Sequence, residues 1–172
     1  KCLGIGKGDG VITPSFTHCA DPNSISATGA SPIFAEVESE SLCLSVETIR
    51  KAITADTKAV LYVALYGNCD DLDSVSQYCE ENNLFLILDS AAALGSVYKG
   101  KPISSYGDFS VLSFFSDKTI TTGEGGMLLT DRLPLLEEAN VYKHDGRKER
   151  GVDLIERKGF NFRITELQTA VG

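Results

Sequence analysis

The chain lacks any apolar run of about 18 residues, so no transmembrane helix is expected and no membrane partner is predicted. It also shows no charged and then apolar leader, which predicts that no signal peptide is present. Basic residues are few: Lys and Arg total 16 against 24 Asp and Glu, a formal charge of −8. Apart from Lys143–Arg150 they are scattered, which argues against a nucleic-acid partner. An anionic ligand must therefore be held by local donors.

Cysteine pairs with the spacing of a metal site are also missing. The five cysteines form no Cys-x-x-Cys pair, and no histidine lies at metal-ligand spacing from them. An odd number of cysteines in a chain without a leader predicts reduced thiols and a cytoplasmic location. The sequence therefore predicts no metal site.

What the sequence does contain is an alternation of strand-like and helix-like segments. β-rich runs lie at Gly10–Pro14, Pro32–Glu36, Ala59–Ala64, Leu84–Asp89, Phe109–Phe114 and Gly126–Thr130. Helices are predicted from Ser45 to about Ile53, over Asp71–Asn82 and Leu133–Lys143, and beginning near Arg163. This order predicts a single α/β domain with a mainly parallel (mixed) sheet flanked by helices. The glycine-rich segment Gly4–Gly10 has no preceding strand and is predicted to be a turn.

Several polar groups follow predicted strands. In open parallel sheets ligands collect outside the carboxyl ends of the strands, so residues 14–18, 66–68, 89–92 and 113–118 are expected to converge there. The strongest candidate is Lys118, which precedes the small-residue loop Thr119-Ile-Thr-Thr-Gly-Glu-Gly-Gly126. Asp89 ends a buried apolar strand upstream. This pairing suits a Schiff-base cofactor, in which the amine holds the aldehyde and the carboxylate holds a protonated ring nitrogen.

Each candidate also has a plain structural interpretation. A loop lysine is most often a solvated surface charge, Asp89 could be a turn or cap residue, and Ser113 could be a simple strand hydroxyl. His18 follows the first strand and, taken alone, is more often a surface or satisfied histidine than a site residue. His144 lies in a polar turn. The convergence of these residues is thus a stronger prediction than any one of them.

Taken together, the motifs resemble those of the DegT/DnrJ/EryC1/StrS family of pyridoxal 5'-phosphate (PLP) dependent sugar aminotransferases, with the type I aspartate-aminotransferase fold. The segments that carry the resemblance are Gly4–Thr17, Leu65-Tyr-Gly-Asn68, Asp89–Gly95, Ser113–Gly126 and Gly159-Phe-Asn-Phe-Arg163. The Ser113–Gly126 segment is the most specific and is closest to the perosamine-synthase-like branch. Sugar dehydratases of the family replace the lysine with histidine, so Lys118 favours transamination.

The resemblance implies a role for each matching position. Lys118 would bind the PLP aldehyde and move a proton between substrate and cofactor, and Asp89 would pair with the ring nitrogen. Ser113 would bind the phosphate, and His18 would lie against the ring where the family usually has an aromatic residue. Asn161 and Arg163 would reach the phosphate of a partner subunit. A homodimer with shared sites, a glutamate donor and a nucleotide-linked keto-sugar acceptor are implied in the same way.

The chain also departs from the family. Ala92, at the cofactor's ring hydroxyl, replaces the usual Gln, His or Glu, and Leu88 replaces a common Glu. Residues 1–172 are expected to be the PLP-binding large domain, truncated at both ends, without the N-terminal phosphate-motif helix and the C-terminal small domain. A non-catalytic remnant of the fold that acts as a binding module stays open as the second hypothesis.

Overall fold

The computed structural model describes residues 1–149, 151 and 153–172. Its strands are β1 (Gly10–Pro14), β2 (Ser31–Ala35), β3 (Thr57–Val63), β4 (Phe85–Asp89), β5 (Val97–Tyr98), β6 (Lys101–Pro102), β7 (Phe109–Ser113) and β8 (Gly126–Leu129). Its helices are α1 (Ala20–Ala27), α2 (Val46–Ala52), α3 (Leu72–Glu81), α4 (Leu133–Lys143) and α5 (Glu166–Val171). None of the helices in this part of the chain is long and apolar enough to cross a membrane.

The main sheet has the order β2-β1-β3-β4-β7-β8, while β5 and β6 form a small antiparallel hairpin. Every pairing from β2 through β7 is parallel, and only the last, β7 with β8, is antiparallel. The predicted α/β class with a mainly parallel, mixed sheet is therefore confirmed. Each predicted strand is present, with ends that differ by at most two residues, as boundaries fixed by local pairing usually do.

The core lies on both faces of the sheet, because successive side chains of a strand point to opposite sides. In β3, Val60 and Tyr62 pack into the larger cluster with Leu72 of α3. The intervening Leu61 and Val63 pack into a second cluster with Ile25 of α1. This arrangement explains why the central strands are continuously apolar in the sequence.

The helices agree with the sequence except at α1. The predicted capping box at Ser45 is present, with Thr48 as its partner. The segment Gly4–Gly10 is a turn, closed by the Asp9 amide donating to the Gly6 carbonyl at 3.0 Å. The sequence analysis did not predict α1, which contains Pro22 in its first turn, where a missing N–H costs no helical hydrogen bond. Of the basic stretch Lys143–Arg150, Arg150 lies outside the described residues.

Candidate active site

The polar segments singled out in the sequence meet at one edge of the main sheet. Strands β1, β3, β4 and β7 run parallel, so their carboxyl ends share this edge. Strand β8 is antiparallel and starts there, with Gly126 paired to Ser113. Asp89 and Ser113, the last residues of β4 and β7, therefore lie at the same edge as the loop that carries Lys118. We call this region the carboxyl edge.

The loop of residues 115–125, which contains Lys118, is closed at its base by the backbone of one residue, Phe114. The Phe114 amide donates to the Gly125 carbonyl at 2.9 Å. The Phe114 carbonyl accepts from the Thr122 amide at 3.0 Å and from the Thr121 hydroxyl at 3.1 Å. Phe114 is itself buried. The loop is therefore a closed structure anchored to the core.

Lys118 is partly withdrawn from water. Its side chain is 26% exposed, and its Nζ lies 3.6 Å from the Asp117 carboxylate. Its backbone amide donates to the Phe115 carbonyl at 3.1 Å, which fixes the position of the lysine at the first turn of the loop. This environment differs from that of a freely solvated surface lysine.

Two threonine hydroxyls of the loop, those of Thr121 and Thr122, are used in hydrogen bonds within it. Thr121 donates to the Phe114 carbonyl, and Thr122 donates to the Glu124 carbonyl at 2.8 Å. Ser113 is different: its Oγ accepts from the Phe115 amide at 3.2 Å, so its hydroxyl hydrogen can still be donated to an anion. Ser113, rather than Thr121 or Thr122, is thus the side-chain donor suited to a ligand here.

Asp89 lies half-buried beside two further polar side chains from the β1–α1 segment. Its Oδ1 accepts from the Ala91 amide at 2.8 Å, which fixes one carboxylate oxygen. Asp21, in the first turn of α1, lies close enough to Asp89 for that carboxylate to raise the pKa of Asp21. Thr17 donates to the Oδ2 of Asp21 at 2.5 Å. The carboxyl edge therefore carries a pair of neighbouring carboxyl groups.

Asp21 is buried, with 7% of the residue exposed. Burial raises the pKa of Asp21 to about 6, against the opposing hydrogen bond from Thr17. The neighbouring Asp89 also raises this pKa, while the charge of His18 lowers it. One carboxyl of the pair is consequently protonated in mildly acidic solution.

His18 is exposed after β1, and its Nδ1 accepts from the Ala20 amide at 3.1 Å at the start of α1. The imidazole is therefore held at the start of α1 by a backbone amide. Its electrostatic effect on Asp21 places it in the same neighbourhood as Asp89.

The two departures from the family occupy different environments. Ala92 is exposed in the turn after β4, where its methyl group offers no hydrogen bond. Leu88 is fully buried in the core cluster, because β4 is covered by side chains on both faces. Next to Asp89, the buried hydroxyls of Ser90 and Ser110 lie 3.0 Å apart and tie β4 to β7.

Asn161 and Arg163 lie in a separate segment that follows α4. The Arg163 guanidinium pairs with Asp145 at 2.9 Å, and Asn161 forms a backbone bridge with His144. The flanking rings Phe160 and Phe162 stack with centroids 5.4 Å apart. Beyond them, the side-chain amide of Gln168 donates to the Glu124 carbonyl at 2.9 Å. The segment thus reaches the Lys118 loop through α5, whereas Asn161 and Arg163 contact the 144–145 turn.

Asp21 is the residue that the sequence analysis missed. Its sequence signal is weak: an acidic residue three positions after His18, beside a proline that discourages a helix assignment. An acidic residue in a first helical turn favours the helix dipole and is common at such positions. Its contact with Asp89 joins residues 68 positions apart and could be found only in the fold.

The family model of the DegT/DnrJ/EryC1/StrS aminotransferases matches residues 1–172, so the chain belongs to this family. The resemblance found in the sequence is confirmed. The GDP-perosamine synthase of Vibrio cholerae is 42% identical over 175 residues, which is 100% of this chain and 47% of that protein. The chain thus spans about half the length of the curated relatives that it matches.

Solved structures show the same fold. The aminotransferase from Psychrobacter cryohalolentis superposes with a TM-score of 0.93 at 34% identity, covering 99% of this chain and 46% of that one. A structure described as S. venezuelae DesV in complex with a ketimine intermediate has a TM-score of 0.92 at 35% identity, with coverages of 99% and 46%.

Proposed function

We propose that residues 1–172 form the PLP-binding large domain of an aminotransferase that moves an amino group from glutamate to a nucleotide-linked keto-sugar. The observation that carries the proposal is the carboxyl edge itself. A partly buried lysine on an anchored loop and a carboxylate that ends a central strand lie at the same edge of the sheet, which supports the proposal. Similarity to GDP-perosamine synthases supports the sugar substrate, and the alternative of a non-catalytic remnant does not account for the retained lysine.

The residues present fit PLP. Asp89 has one carboxylate oxygen fixed by the Ala91 amide, which leaves the other to accept from a protonated ring nitrogen. Ser113 can donate its hydroxyl hydrogen to a phosphate oxygen. A Cβ on Gly125 would come within 2.6 Å of the Thr122 Oγ1, so the loop has room only for a glycine at this position. When bound, PLP supplies an aldehyde for the amine and a ring that withdraws electrons from the reacting carbon.

Each residue then has a defined task. With PLP bound, the Lys118 amine would hold the aldehyde carbon and would carry a proton to and from the substrate carbon. The Asp89 carboxylate would keep the ring nitrogen protonated, and Ser113 would bind the phosphate. His18 would contact the ring, and Ala92 would offer no side-chain partner to the ring hydroxyl.

Asn161 and Arg163 are proposed to bind the phosphate in the site of a partner subunit, within a homodimer. Both residues contact the 144–145 turn, and their proposed role in the partner's site rests on the family resemblance. We also propose a cytoplasmic location. All five cysteines, each within the described residues, are unpaired thiols, as a reducing compartment favours.

The proposal is tested by absorbance spectroscopy and by covalent labelling of Lys118. Adding PLP to the full-length protein is expected to produce an absorbance band near the visible edge, and borohydride is expected to fix the cofactor on Lys118, detected by peptide mass spectrometry. Lys118→Ala should abolish both signals. Lys101→Ala, at an exposed lysine on β6, is the matched control and should retain both.

Transamination is tested by mixing the full-length protein with glutamate and nucleotide-linked keto-sugars and following 2-oxoglutarate. If PLP leaves no band and no label on Lys118, the aminotransferase proposal is wrong and the remnant hypothesis gains. If Lys118 is labelled but glutamate gives no 2-oxoglutarate, only the donor assignment fails.

A further inference from the structure

The turn that follows β3 places a tyrosine at the carboxyl edge in an unusual backbone conformation. Tyr66 has a φ of +56°, in the left-handed region that bulky side chains rarely adopt. It is also 81% exposed, and within the described part of the chain its hydroxyl group has no hydrogen-bond partner. The contacts of the side chain among these residues therefore do not explain why a strained tyrosine stands at this position.

The turn is fixed to the strand that carries Asp89. The Ala64 amide donates to the Asp89 carbonyl at 2.9 Å, and the Gly67 amide donates to the Ala64 carbonyl at 3.1 Å. A Cβ on Gly67 would come within 2.7 Å of the Ser96 Oγ, so the turn packs closely against the segment that follows β4. Tyr66 is thus held on a fixed turn next to the end of β4.

Exposed aromatic side chains follow the strands on both sides of β4 at this edge. Tyr66 follows β3 and Phe115 follows β7, and both are exposed. Since neighbouring strands lie about 4.8 Å apart, the two strands that lead into these aromatic residues are separated by about 10 Å. Of the two side chains, only that of Tyr66 combines an aromatic ring with a hydroxyl group.

We propose that Tyr66 is a specificity-determining residue that binds the sugar ring of the amino acceptor. The inference rests on the proposed function and deepens it. A pyranose ring has a face of C–H groups and a rim of hydroxyl groups, so the Tyr66 ring can cover the face while its free hydroxyl group binds the rim.

The sugar suits this position better than the other parts of the two substrates. The nucleotide is joined to the sugar through phosphate groups, so it lies farther from the reacting carbon than the sugar does. Glutamate presents a second carboxylate, which a cation recognises better than a neutral tyrosine does. Tyr66 is therefore expected to act on the acceptor and not on the donor.

The first test measures binding and needs neither PLP nor turnover. Dissociation constants for the PLP-free full-length protein are measured by calorimetry with GDP-mannose, UDP-glucose and dTDP-glucose, and with GDP, UDP and dTDP alone. Tyr66→Ala keeps the Cβ and is expected to weaken binding of the nucleotide-sugar about tenfold, without changing the affinity for the nucleotide alone. Tyr66→Phe removes only the hydroxyl group and should weaken it about threefold. The proposal is wrong if the wild type binds none of the nucleotide-sugars, or if Tyr66→Ala weakens nucleotide and nucleotide-sugar equally.

The second test separates binding from folding. Tyr66→Gly removes the side chain and relieves the strain of the positive φ, so we expect a higher midpoint of urea unfolding together with the loss of sugar affinity seen for Tyr66→Ala. Asn83→Gly is the matched control, at an exposed residue with a φ of +54° before β4, and should leave sugar affinity unchanged. A lower midpoint for Tyr66→Gly would show that the ring packs within the full-length protein, which overturns the proposal.

Failure of this inference can be told apart from failure of the proposed function. Borohydride is expected to label Lys118 in the wild type and in all three Tyr66 variants. If Lys118 is labelled while the Tyr66 variants bind nucleotide-sugars as the wild type does, only the role of Tyr66 is wrong. If the wild type is not labelled, the proposed function is wrong.

Discussion

Two buried carboxylates, Asp21 and Asp108, lie at opposite edges of the sheet and are held in different ways. Asp108 precedes β7, accepts from the Leu86 amide at 2.8 Å and forms an ion pair with the Arg132 guanidinium at 2.7 Å. Asp21 lies next to a second carboxyl group instead. Asp108 is therefore matched by a donor and a cation, whereas Asp21 destabilises the fold when it ionises.

Asp108→Ala is predicted to reduce the free energy of unfolding by about 2–3 kcal/mol, because it leaves the Leu86 N–H buried without an acceptor. Asp108→Asn keeps an oxygen that can accept from this amide and should cost about half as much or less. Urea unfolding of the full-length protein measures both. Equal losses of unfolding free energy for the two variants would show that the negative charge of Asp108, and not its acceptor for the Leu86 amide, provides the stabilisation.

Stability should also depend on Asp21 as the pH changes. The pKa of Asp21 is raised in the fold, so the stability that its protonation provides is present below about pH 4 and is lost as the pH rises to about 6. Asp21→Asn removes this loss and is expected to be more stable than the wild type by about 1–2 kcal/mol at pH 7. Thermal or urea unfolding at pH 7 and pH 4 should show a difference that disappears at the lower pH. A difference of the same size at both values would contradict this account.

At the scale of residues, the sequence predicts which residues lie at the carboxyl edge better than it predicts the contacts between them. Lys118, Asp89 and Ser113 follow strands, and the parallel order places them at one edge, so their neighbourhood could be predicted. The proximity of Asp21 to Asp89 could not be predicted, because it depends on the packing of α1. The sequence analysis did not predict this helix, since Pro22 lies in its first turn. The same holds for the Thr121 and Thr122 hydroxyls, which the loop uses internally.

At the scale of elements, the Lys118 loop is held at both ends and crowded near its end at Gly125. Its two ends meet at Phe114, and Gly125 adopts a φ of +156° next to the Thr122 hydroxyl and Ile164. Gly123 also has a positive φ, +79°, but faces open space. An alanine at Gly123 would therefore introduce backbone strain alone. An alanine at Gly125 would add a collision of its Cβ with neighbouring side chains.

Gly125→Ala is predicted to displace the loop and to weaken PLP binding by about tenfold or more, as misplaced reacting groups do. Gly123→Ala is the matched control and should cost about 1 kcal/mol of stability with little change in PLP affinity. Absorbance titration with PLP measures the affinity, and circular dichroism confirms that both variants fold. Equal weakening of PLP binding by both variants would assign the effect to strain alone.

Elements with a periodic or capped sequence were predicted well. The capping boxes explain this for α2 and α5, where Ser45 and Thr165 each accept from the amide three residues on. The β5–β6 hairpin was not predicted, because it spans only two residues per strand. Its position depends on a side-chain contact, in which the Tyr98 hydroxyl donates to Asp73 of α3 at 2.6 Å.

At the scale of the whole molecule, the glycines of the 144–163 region explain how its aromatic segment is held. Gly146 and Gly159 approach so closely that a Cβ on either would collide with the backbone of the other segment. This contact brings Phe160 against Tyr142, with ring centroids 5.5 Å apart. Asn161 and Arg163 are thus presented on a segment that is fixed to α4.

The proposed sharing of sites between subunits predicts complementation. Lys118→Ala and Asn161→Ala should each inactivate the full-length protein as homodimers. Random reassociation of the two variants should restore about a quarter of the wild-type activity, because half of the dimers are mixed and each mixed dimer has one intact site. Mixing Lys118→Ala with Arg163→Ala should do the same. No recovery, with mixed dimers shown by native mass spectrometry, would place both residues in one subunit's site.

The strand order also has a consequence for synthesis. Apart from β2, the main sheet grows in one direction as the chain emerges, from β1 to β3, β4, β7 and β8. A nascent chain can therefore add each strand to one already formed, without opening earlier pairings. The lysine loop closes only when β8 pairs with β7, so the cofactor pocket is assembled after most of the sheet exists. Capture of the cofactor on the ribosome should thus begin only once residues near 130 have left the exit tunnel.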